Sequence, residues 1–110
     1  MCFKKKRRIG EIYTQDRKCI LLCAQEMDVL IALDRNGIYG DKFLELKDEL
    51  LFLSPRENIE VYEIDKKIRN KIDDLKLILN KPEEIEKDAI ENKINNVFVM
   101  IKERDAKELK

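Results

Sequence analysis

Apolar residues recur along this chain at alternating spacings of three and four, the period of a helix buried along one face. Ile20, Cys23, Met27 and Leu30 form the first stripe, and Leu21, Leu22, Val29, Ile31 and Leu33 widen it. A helix this apolar is expected at the centre of the fold, contacted on more than one side. Thr14 is a suitable N-cap for it, and Asn36-Gly37 a suitable stop. Phe43, Leu46, Leu50 and Leu53 predict a short second helix after Gly40, with Asp41 placed to cap it. Ser54-Pro55-Arg56-Glu57 then reads as a capping box, with Ser as N-cap, Pro at the first helical position and Glu at the third. Pro55 either separates two helices there or kinks one.

A third helix carries Ile64, Ile68, Ile72, Leu75 and Leu79 and is expected to end at Lys81-Pro82, because the residue before proline is pushed out of the helical region. Pro82-Glu83-Glu84 opens a fourth, with Ile90, Ile94, Val97 and Ile101 as its stripe and Phe98 beside it. The pattern predicts an all-α fold, an antiparallel bundle of three to four helices. It divides the chain into a basic, flexible arm over 1–13 and a single helical-bundle domain over 14–110.

Composition agrees with long amphipathic helices. The chain has 110 residues, of which 44% are hydrophobic and 42% charged, with three Gly and two Pro. That is one core's worth of chain, little turn material and many wetted helix faces. Formal net charge is zero, so no global field recruits nucleic acid or an anionic membrane. The charge is unevenly laid out. Residues 1–18 carry seven basic and two acidic groups, residues 41–65 three and eight, and residues 66–81 six and two. Such opposed blocks are expected to complement one another, within the fold or between copies.

Candidate chemistry is sparse. Histidine is absent, which removes the commonest general base and zinc ligand and forbids a Ser-His or Cys-His nucleophile. Glu26 and Asp28 read with Gln25 as the one polar strip of the first helix rather than as a catalytic carboxylate pair. Cys19 and Cys23, four apart, share a helix face and with Cys2 make three thiols. A closed zinc site needs four ligands, so core packing is the better reading. Asp34 to Glu45 has the length, first acid and last acid of a calcium-binding EF-hand loop. However, Ile38 stands at its fifth position and Tyr39 at its sixth, where the turn needs Gly. Neither an enzyme active site nor a cofactor or metal is expected.

Two regions remain for function. Leu50, Leu51, Phe52 and Leu53 exceed what one short helix needs and are a candidate interface. Lys4, Lys5, Lys6, Arg7 and Arg8 are five consecutive cations, able to contact an anion or the phosphates of a nucleic acid. The expected role is a non-catalytic helical interaction protein, a homo-oligomer or the holder of a partner protein. The alternative is a small nucleic-acid-associated protein using the basic arm. Three cysteines with no secretory signal imply a reducing, cytoplasmic compartment. The apolar stretch from Cys19 to Leu33 is too short and carries too many acids to span a bilayer.

Overall fold

The computed structural model describes residues 10–34, 37–80 and 87–108. Among them are four helices and no strand: α1 (Glu11–Leu33), α2 (Gly40–Leu51), α3 (Ile59–Leu79) and α4 (Lys87–Glu108). The chain is an all-α bundle. The stretch around Pro55 lies outside any helix, so it separates α2 from α3. The basic arm Lys4–Arg8 and the Pro82-Glu83-Glu84 start assigned to the fourth helix lie outside the described residues.

Residue pairs across the interfaces give the packing. Asp28 meets Lys47, and Ile20 lies beside Leu53, so α1 and α2 run antiparallel. Asp65 meets Arg104 and Glu60 meets Lys107, so α3 and α4 do as well. Between these two hairpins α1 packs on α3, and α2 touches α4. Four seams supply the core. Met27 and Leu30 of α1, Phe43, Leu46 and Leu50 of α2, Ile72 and Leu75 of α3, and Ile94 and Val97 of α4 are all at most barely exposed. The Tyr39 ring lies 5.9 Å from that of Phe43 and extends the core into the α1–α2 turn. As expected, α1 is contacted by two helices, but Leu21, Leu22 and Val29 face outward.

The helix ends depart from local expectation. The first helix starts at Glu11, not Thr14: Gly10 is its N-cap at φ 90°, and the Thr14 hydroxyl donates back to the Gly10 carbonyl at 2.9 Å. Gly10 offers no side chain to that helix end. Instead Glu57, from the α2–α3 connection, accepts the Tyr13 backbone N–H at 2.6 Å. An acid therefore sits at the positive end of α1, supplied from 44 residues away.

The Ser54 capping box does not form. Asn58 is the N-cap of α3, its side chain accepting the Glu60 and Val61 N–H groups at 2.8 and 3.2 Å. Asp41 is not a cap either; it lies in the first turn of α2, whose N-cap is Tyr39. The α1–α2 turn is organised by Asp34, whose two carboxylate oxygens accept the Ile38 and Tyr39 N–H groups at 3.1 and 2.9 Å. Its Gly37 takes φ 66°, the left-handed region that glycine adopts without strain. The acid that opened the calcium-loop reading thus serves the backbone.

Candidate interaction surface

Four consecutive leucine and phenylalanine positions at the end of α2 divide between inside and outside. Leu50 is wholly buried and belongs to the core, so it is not a surface contact. Leu51 is 56% exposed and Phe52 87%. Leu53 is half-buried and packs on the core from outside. The split follows from the helix ending. Leu50 holds the last inward position of α2, and the chain then leaves the helix at Phe52, whose N–H still donates to the Asp48 and Glu49 carbonyls at 3.2 Å. The phenyl ring is therefore carried beyond the bundle.

Beside it lies a groove of about 150 Å³ between α1 and the end of α2. Ile20, Leu21 and Ala24 form one wall; Leu51, Leu53 and Pro55 form the other. Arg17 stands at its rim on α1, and Asp48 is exposed on α2. The periodicity of α1 placed Leu21 in a widened core stripe, but it is 47% exposed and belongs to this wall.

The α2–α3 connection that forms the wall is held from below by buried charges that the apolar pattern did not mark. Asp16, Asp65 and Arg104 are the wholly buried charged residues among those described. Arg104 Nε donates to Asp65 at 2.7 Å, and Arg104 Nη2 to the Ser54 carbonyl at 2.6 Å while lying 3.5 Å from Asp16. Asp16 accepts the Arg56 backbone N–H at 2.9 Å. Each residue continues its helix's seam: Asp16 precedes Ile20 by four, Asp65 precedes Ile68 by three, and Arg104 follows Ile101 by three. Extending the first and fourth stripes by one helical step would have found Asp16 and Arg104, whereas Asp65 lies inside its seam, between Val61 and Ile68.

Burial raises the Asp65 carboxyl to about 9, helped by its hydrogen bond with Asp16 and opposed by the Arg104 guanidinium.

Glu26 and Asp28 do not form one strip with Gln25. Glu26 is partly buried in an ion pair with Lys76 of α3, and Asp28 pairs with Lys47 of α2 at 2.7 Å. The hydrogen bond to Glu26 raises the Lys76 ammonium above its ordinary value. Of the basic stretch 66–81, Lys66 meets Glu63 one turn away, whereas Lys76 reaches back to α1. Cys19 and Cys23 are buried in the core as free thiols. The Cys23 thiol is pushed up by its hydrogen bond with Cys19 and by burial, so it is an inert packing group. Among the described residues no three Cys, Asp or Glu side chains gather to hold a metal, and no helix is long and apolar enough to cross a membrane.

Comparison with protein-family models, curated proteins and solved structures finds no match.

Proposed function

We propose that this chain is a non-catalytic interaction protein that pairs with a second copy of itself, the Phe52 ring of each copy entering the α1–α2 groove of the other. The observation that carries this reading is a protruding phenyl group beside a hole of its own size. Phe52 is 87% exposed. The neighbouring groove holds about 150 Å³, the volume of an apolar cavity that accepts one benzene ring. A patch that bears both knob and hole is self-complementary, which a twofold axis requires. The reduced, buried thiols suit a cytoplasmic setting.

The test is molar mass by light scattering over a hundredfold range of protein concentration. The wild-type chain should move from monomer to dimer. Phe52→Asp and Leu21→Asp should remain monomeric with unchanged helix content. A wild-type monomer at every concentration overturns the pairing.

The run Lys4–Arg8 supports a second reading, association with nucleic acid. Removing residues 1–8 should then abolish retention on a nucleic-acid column while leaving the molar mass per chain assembly unchanged.

A further inference from the structure

Two carboxylates and one guanidinium occupy the interior where α1, α3, α4 and the α2–α3 connection meet. With both acids ionised, the cluster would keep a net negative charge in a dry place. The space beside Asp65 is bounded by Ile20, Cys23, Leu50, Leu53 and Ile68 and leaves no room for a water molecule. Asp16 uses one oxygen for the Arg56 N–H and for Arg104, and Asp65 uses one for Arg104. The second oxygen of each, Oδ1 of Asp16 and Oδ2 of Asp65, is buried and accepts from no donor among the described residues. An unpaired buried acceptor costs about 1–3 kcal/mol, and an unpaired buried charge more. One proton between the two carboxyl groups removes both faults: it supplies the missing donor and brings the cluster to neutrality.

We propose that Asp16 and Asp65 share a single proton at neutral pH, and that this neutral cluster is a proton-dependent clamp on the α2–α3 connection. The clamp holds that connection at the Ser54 carbonyl and at the Arg56 N–H. Loss of the proton leaves two anions against one cation and loosens both ties, and with them the Leu53 and Pro55 wall of the groove. The proton stands on its own, whether or not the groove pairs copies.

Other titratable groups face the cluster from each element. From α1 these are Cys19 beside Asp16 and Cys23 beside Asp65. From α3, Lys66 and Arg69 act on the Cys19 side. From α4 Arg104 stands between the acids, and from the connection Arg56 contributes its backbone N–H. The acids and Arg104 are the charged groups wholly buried among the described residues.

The direction of the pH dependence follows from linkage. Asp65 lies above its unfolded value of 3.8, so folding takes up a proton. The stability this provides is fully present below that value and is lost progressively as pH rises towards about 9. Asp65→Asn mimics the protonated acid: its amide donates where the proton did, and its oxygen still accepts from Arg104.

The decisive experiment measures urea unfolding of wild type and Asp65→Asn from pH 5 to pH 8. The wild-type unfolding constant, relative to that of the variant, should rise about tenfold per pH unit, the slope for one proton. Parallel profiles overturn the shared proton. Should Asp65→Asn fail to fold, infrared spectroscopy of the wild-type chain decides alone. A protonated carboxyl band at pH 7 that disappears as pH passes about 9 supports the proposal, and its absence at pH 7 overturns it.

Discussion

Arg104 binds three separate parts of the molecule through one side chain. It reaches Asp65 on α3, Asp16 on α1 and the Ser54 carbonyl in the connection. A guanidinium suits this role because it offers several donors in a fixed fork, where an ammonium is a point charge. Removing one partner of a buried charge cluster leaves the other uncompensated, at a cost of about 3–5 kcal/mol. Arg104→Met should therefore lower the unfolding free energy by about that amount, read from the urea midpoint at pH 7 with an unchanged slope. Arg104→Lys should fall between the two, because one ammonium cannot hold Asp65 and Ser54 together in the fork's geometry. Asp16 and Arg104 escape an apolar reading of the sequence because a charge at the end of a stripe looks like the end of the buried face, and Asp65 escapes it because it is a charge within one, between Val61 and Ile68. Their seam spacing was legible, but it says only that they face inward. That the three converge depends on how α1, α3 and α4 are aligned, which no single helix encodes.

At the scale of elements, the bundle's seams were legible and its joints were not. Ile68, Ile72 and Leu75 are core positions because a helix of 3.6 residues per turn returns them to one face, whatever lies beyond its ends. A cap depends on which donor happens to be near. Ser54 and Glu57 have the spacing of a local capping box, yet α3 begins only at Ile59 and the Glu57 carboxylate is spent on the first turn of α1. Asn58, four residues on, does the capping of α3. The two serve as controls for each other. Asn58→Ala should destabilise the chain by about 1 kcal/mol, the usual cost of a lost N-cap. Ser54→Ala should change stability by less than about 0.5 kcal/mol, because its carbonyl remains. Thermal unfolding of both variants checks this. Equal losses would return the cap to Ser54.

For the whole molecule, what matters is how four seams leave apolar surface over. Three long helices and one short one cannot cover each other evenly, since α2 has 12 residues against 23, 21 and 22 in the other three. Where α2 stops, the α2–α3 connection takes its place against α1, and Leu21, Leu51 and Phe52 stand exposed around the groove that results. The surplus of apolar residues over Leu50–Leu53 was visible in the sequence. Its division into one core residue, two outward ones and the half-buried Leu53 was not, because that depends on the residue at which α2 ends. If a second copy covers this surface, folding and pairing are one equilibrium, and thermal stability must depend on concentration. Above the dissociation constant, a hundredfold rise in protein concentration should raise the wild-type melting temperature by about 5 °C, from mass action and the size of the domain. Phe52→Asp should melt at one temperature throughout, and at low concentration it should match the wild-type chain, because Phe52 buries little in the monomer. A wild-type melting temperature independent of concentration would mean that the exposed ring contributes nothing to association between copies.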